Sequence, residues 1–83
     1  MKKMYIVKLT EAWKHIQNRD TFRASNLTGV ALEHNGFTSY FVMSYATVIY
    51  AENKNGVFIN RLNERFSNST SRHQSIVKYA LNL

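Results

Sequence analysis

The sequence predicts an α+β domain: an N-terminal helix, a three- to four-stranded antiparallel meander and a C-terminal helix packed on one face of the sheet. Three observations predict it. Leu9, Ala12, Trp13 and Ile16 recur at helical spacing near the start, and Ile76, Val77, Ala80 and Leu81 do so near the end. Between them Asn35-Gly36 separates two extended runs, Gly29–His34 and Phe37–Met43, as in a hairpin whose turn needs two residues of positive φ. Ser44–Ala51 and Val57-Phe58-Ile59 then supply further β-branched and aromatic runs, divided by a polar stretch that ends at Gly56.

In chain order, residues 1–9 are ambiguous. Tyr5, Val7 and Leu9 alternate as a strand would, while Met4 and Val7 could extend the following helix backwards. That helix is expected over about residues 8–18, with Thr10 as its cap and Glu11 where the helix dipole favours an anion. Trp13 lies on its apolar stripe and is expected to be buried. Residues 21–28 read as a connection or a short edge strand. Pairing across Asn35-Gly36 puts Val30, Leu32, Phe37 and Phe41 on one face and Ala31, Glu33, Thr38 and Tyr40 on the other. The first set is the more apolar, so the helices are expected to cover it and to leave Tyr40 exposed. Leu62 and Phe66 allow a helical turn. Ser67–Ser71 reads as a loop closing in a capping box, with Ser71 as cap and Gln74 as its partner.

With 83 residues the chain is expected to be one domain, 1–83. It contains no cysteine, no apolar run near the roughly 20 residues of a membrane span, and an early Lys8 and Glu11 that interrupt any leader-like core. The expectation is a protein of the host-cell cytoplasm with no membrane partner. The formal net charge is +6, with Lys2, Lys3 and Lys8 at the front, Arg61, Arg65, Arg72 and Lys78 in the last third, and no acidic residue after Glu64. Such a field attracts phosphates or acidic protein surfaces, and also simply confers solubility.

The group Ser67, Ser69, Thr70, Ser71, Arg72 and His73 stands at a helix start, where backbone N–H groups, hydroxyls and a guanidinium can bind a phosphate or an acidic loop. The same hydroxyls also serve as caps. The candidate binding residues are Arg61, Arg65, Ser69, Thr70, Arg72, His73 and Lys78, with Tyr40 as an exposed ring. No catalytic set is expected: Ser71 and His73 are two apart and do not face each other on a helix. The three histidines have no metal-ligand spacing and there is no glycine-rich phosphate loop, so neither metal nor cofactor is expected.

From Ser44 on, the pieces Ser44-Tyr45-Ala46-Thr47-Val48-Ile49, Ile59-Asn60 and Phe66-Ser67-Asn68-Ser69-Thr70-Ser71-Arg72-His73-Gln74 resemble a family of small phage and plasmid proteins of unassigned function. That family carries Ser-Tyr-x-Thr-x-Ile and a Ser/Thr-rich stretch ending in Ser-x-His. Ser69 stands where the pattern has threonine. The resemblance implies a mobile-element origin and no activity. In that context the leading expectation is a non-enzymatic accessory protein that binds a host protein or nucleoprotein complex stoichiometrically, one form being an inhibitor of a CRISPR-type defence nuclease. The alternatives are a nucleic-acid-binding module, akin to double-stranded RNA-binding folds, and a small ribonuclease toxin using His34 or His73. An edge strand at Val57–Asn60 could pair across a homodimer.

Overall fold

A computed structural model describes residues 3–83; Lys2, part of the basic front cluster, lies outside the described residues. The order is β1 (Met4–Ile6), a 3-10 turn (Leu9–Glu11) running into α1 (Ala12–Gln17), β2 (Thr21–Ala24), β3 (Leu27–His34), β4 (Phe37–Ser44), β5 (Thr47–Asn53), β6 (Gly56–Asn60) and α2 (Asn68–Leu81). The six strands form one sheet in sequence order. β1 and β2 run parallel and every other pair is antiparallel. Parallel neighbours need a crossover, and the 3-10 turn with α1 provides it.

The α+β class holds, but the sheet has six strands rather than three or four. Residues 4–6 form a strand, and residues 21–24 form an interior one, flanked by β1 and β3. Thr10 is not a cap. Lys8 precedes the 3-10 turn and Glu11 precedes α1, with no side-chain cap bond at either. At the other end of α1, Arg19 takes the left-handed conformation (φ 54°), and its guanidinium holds both oxygens of Glu52 on β5, Nε to Oε2 at 3.0 Å and Nη2 to Oε1 at 2.9 Å. The Tyr50 hydroxyl donates to the same carboxylate. The Arg19 hydrogen bonds hold Glu52 below the usual carboxylate range. Burial, then the bond to Glu52, pushes Tyr50 up to about 12.

The Asn35-Gly36 turn forms as expected, with φ of 51° and 81°, and sets the register Val30↔Phe41 and Ala31↔Tyr40. The covered face is the opposite of the expected one. Ala12 and Ile16 of α1 and Val77 and Ala80 of α2 join a core with Phe22, Ala24, Leu27, Tyr40, Val42, Ile49, Tyr50 and Leu62. Tyr40 is 2% exposed and its hydroxyl donates to the carbonyl of Asp20 at 2.8 Å. Gly29 makes this possible: a Cβ there would sit 2.3 Å from the Tyr40 hydroxyl oxygen and 2.4 Å from Phe22 Cε1. Two large rings therefore fill the space that its missing side chain leaves. Leu32, Phe37 and Phe58 stay about half exposed on the open face, where Phe41 and Phe58 meet edge to face at 5.9 Å. Trp13, expected inside, is only half-buried. It packs edge to face on Tyr79 at 5.5 Å, joining α1 to α2.

α2 begins earlier than expected. Its cap is Ser67, whose Oγ accepts from the Thr70 N–H at 3.2 Å, so residues 68–71 are its first turn and Ser71 is no cap. Gln74 turns instead to the preceding loop, its Nε2 donating to the carbonyls of Arg61 and Glu64 at 2.8 and 2.9 Å. That loop holds no helical turn, although Leu62 is buried within it.

Candidate functional site

Two of the three motif segments, Ser44-Tyr45 at the end of β4 and the Ser/Thr-rich stretch, meet at the N-terminal end of α2, whereas Asn60 lies beside Lys78 and Leu83 near its other end. Ser44, the last residue of β4, lies with its Oγ 2.9 Å from Thr70 Oγ1 and 2.7 Å from His73 Nδ1. Ser44 is 1% exposed and His73 4%. Ser67 Oγ donates to Thr70 Oγ1 at 3.3 Å, so Ser67, Thr70, Ser44 and the neutral His73 ring form one hydrogen-bonded chain. Burial, then the nearby Arg72 charge, pushes the imidazole below its ordinary value, which favours this neutral form.

Nε2 forms no hydrogen bond within the described residues, yet none of their buried side-chain polar atoms lacks a partner. Nε2 is therefore the edge of the ring that reaches solvent. It does so in a groove of about 350 Å³ lined by Leu9, Ser25, Asn26, Tyr45, Asn68, Ser69, Arg72 and His73. Two neighbouring hairpin turns wall the groove. Ser25 and Tyr45 both take positive φ, at 57° each, and the Tyr45 N–H donates to the Asn26 carbonyl at 2.8 Å. The Tyr45 ring is half exposed and its centroid lies 5.9 Å from that of His73. A bulky side chain in the left-handed region is uncommon and strained.

The lining contains no acidic residue. α2 has none in its first turn, so the positive end of its dipole is not offset there. Glu64 pairs with Arg61, Glu52 with Arg19 and Asp20 with His15, whereas Arg72 makes no ion pair among the described residues. The groove can therefore offer a guanidinium, hydroxyls and amides to an acceptor, with the His73 ring beside them. It has little to offer a metal, and no group of three metal-ligating side chains is assembled among the described residues.

The expected binding residues separate. Ser69, Arg72 and His73 share the groove, and Thr70 lies beneath it in the hydroxyl chain. Arg65 and Lys78 line a different surface depression with Leu62, Asn63, Glu64, Ser71, Gln74 and Ser75. Arg61 is held by Glu64 and lies over the Phe66 ring at 5.0 Å. Tyr40 is a core residue, not the exposed ring expected, for the packing reason given above. Ser44, Tyr45, Ser25 and Asn26 were not among the expected site residues; only the Ser-Tyr motif pointed to the first two. His34 stands at the Asn35-Gly36 end of the β3–β4 hairpin and Ser44 at the other, opposite Leu27, so His34 and His73 do not share a site.

No protein family, curated protein or solved structure matches the chain. Among the described residues no helix is long and apolar enough to cross a membrane.

Proposed function

We propose that the protein acts without turnover, by stoichiometric binding of a host macromolecule, and that the groove at the start of α2 receives an acidic group of that partner. The observation that carries this reading is Arg72, which has no ion-pair partner among the described residues and lines, beside the ring of the buried His73, a groove without acidic residues. A charge-assisted hydrogen bond from a guanidinium is among the stronger polar contacts available to a surface site. Catalysis fits these residues poorly. Ser44 is closed to substrate, and no carboxylate orients His73, as a serine nucleophile and its base would require. The resemblance to phage and plasmid proteins agrees with a partner in the host cell, a defence nuclease complex being one form.

The test is recovery of the tagged protein from host lysate at two salt concentrations, with and without nuclease, beside Arg72→Glu. The expected result is one protein partner in stoichiometric amount that survives nuclease and salt and is lost from Arg72→Glu. Recovery of nucleic acid alone, released by salt, would favour a second reading. Its support is the open sheet face, where Phe37 and Phe58 are half exposed and Lys54 Nζ lies 4.0 Å from the Phe37 ring centroid. Exposed rings beside a cation suit stacked bases of a single strand.

A further inference from the structure

The polar groove does not end at Arg72. Beyond that side chain lies a second cleft, of about 380 Å³, formed where α1 meets α2 and lined by Leu9, Thr10, Trp13, Arg72, Ser75, Ile76 and Tyr79. Leu9 and Arg72 line both. The two clefts are thus neighbouring halves of one surface feature, hinged on a single guanidinium. One half offers polar donors. The other is walled by the indole of Trp13, the phenol of Tyr79 and the side chain of Ile76, and Tyr79 is largely exposed above it.

We propose that this joined cleft binds a peptide segment of a partner protein in which a carboxylate stands next to a large apolar side chain. Arg72 takes the carboxylate beside the His73 ring, and Trp13, Ile76 and Tyr79 take the apolar group. The inference rests on the acidic-group reading above and specifies the partner's chemistry.

Charge decides for a carboxylate over a polyanion. The polar half holds one cation, Arg72, and one neutral histidine. Arg65 and Lys78 line a different depression, and Arg61 is engaged by Glu64. A nucleic-acid strand presents a phosphate at every nucleotide and is held by many cations, whereas one carboxylate is matched by one guanidinium. The apolar half decides for a peptide with a large side chain over a free small anion, which would leave the Trp13–Tyr79 wall uncovered. The pairing also suits a surface site: the apolar contact excludes water around the charged one, which strengthens it.

Trp13 is the only tryptophan in the chain, so its emission reports directly on the apolar half. The experiment titrates the full chain with acetylated, amidated tetrapeptides, Gly-Asp-Phe-Gly and Asp-Gly-Phe-Gly, each beside versions with Asn for Asp and with Gly for Phe. Sodium acetate and a uridine oligonucleotide complete the set. We expect saturable change with at least one Asp-Phe peptide, and binding weaker by roughly tenfold when either group is removed, the loss of one charged hydrogen bond or one buried ring. In Arg72→Ala, an exposed position whose fold is checked by circular dichroism, the Asp-over-Asn preference should vanish while the preference for Phe remains. The proposal is overturned if the Asn or the Gly versions bind as well as the parents, or if the oligonucleotide binds more tightly than any peptide. If it is overturned while Arg72→Glu still loses the protein partner in lysate, the acidic-group reading survives without the apolar half. If Arg72→Glu keeps its partner, the polar groove itself is not the site.

Discussion

Ser44 Oγ and His73 Nδ1, separated by 29 positions in the chain, lie 2.7 Å apart and tie the end of β4 to the second turn of α2. Both residues are almost wholly buried, so the contact sits in a low-dielectric place where an unpaired polar group is costly. Ser44→Ala would leave His73 Nδ1 without its partner and the Thr70 hydroxyl with Ser67 alone. The expected loss is about 1–3 kcal/mol, read as a lower urea midpoint with unchanged m-value. The double variant Ser44→Ala/His73→Leu, which removes both ends of the bond, should lose less than the sum of the singles. Strict additivity would mean that the pair is not coupled.

The same histidine predicts how stability varies with pH. Burial, then Arg72, lowers the His73 pKa in the folded state from the ordinary 6.5. Between the two values the unfolded chain binds the proton and the folded one does not, so stability rises with pH in that window. It is fully present above about 6.5 and declines as pH falls through that value towards the folded one. Protonation would also fix Nδ1 as a donor to Ser44 Oγ. Urea midpoints at several pH values between 8 and 5, compared with His73→Gln, should show a shallower dependence in the variant. Glu52, held low by Arg19, acts below its usual value of 4.5 and stays out of this window. An identical pH profile in the variant would remove His73 as the cause.

Gly29 and Gly36 separate two reasons for a glycine. At Gly29 the obstacle is space, because an added Cβ meets the Tyr40 hydroxyl at 2.3 Å and Phe22 at 2.4 Å, and both rings are buried. Gly29→Ala should cost about 1–3 kcal/mol through overpacking and should disturb Tyr40. At Gly36 nothing lies within 4 Å, but φ is +81°, so Gly36→Ala should cost about 1–2 kcal/mol from backbone conformation alone. Near-ultraviolet circular dichroism should change for Gly29→Ala and not for Gly36→Ala. The reverse would contradict the packing.

These residues also show which parts of the molecule the sequence disclosed. Asn35-Gly36 is a local instruction, and the hairpin it implies is the one that forms. The choice of buried face depends on a long-range fact, that Gly29 makes room for Tyr40 and Phe22. Pattern counting, which scores tyrosine as half polar, turned the sheet over. β1 has three residues, too short for the alternation of Tyr5, Val7 and Leu9 to be told from a backward extension of the helix, and its partner lies beyond the α1 crossover. At the site, the Ser/Thr-rich stretch marked Ser69, Arg72 and His73 because helix starts have a local grammar. Ser44 and Asn26 reach the same place only through the sheet, and no spacing in the sequence could bring them there. The start of α2 was misplaced by four residues because both Ser67 and Ser71 are competent caps. Gln74, the expected partner of Ser71, is drawn instead to the carbonyls of the preceding loop.

Tyr45 offers the sharpest division between folding and function. It holds φ at 57° in the turn after Ser44, a region that costs a side-chain-bearing residue about 1–2 kcal/mol and glycine almost nothing. Against this, glycine gives up more freedom on folding, by roughly 0.5–1 kcal/mol, and Tyr45→Gly also loses the ring contact with His73 at 5.9 Å. The terms nearly cancel, so Tyr45→Gly should keep its stability within about 1 kcal/mol of the parent. The backbone N–H that donates to the Asn26 carbonyl is unchanged by the substitution. A residue whose replacement by glycine leaves the fold intact is not there for the turn. The half-exposed ring walls the polar groove beside His73, and its removal should weaken retention of the partner from lysate several-fold at unchanged thermal midpoint. A fall in midpoint with binding unaffected would make Tyr45 a structural residue and would move the binding surface away from the β4–β5 turn.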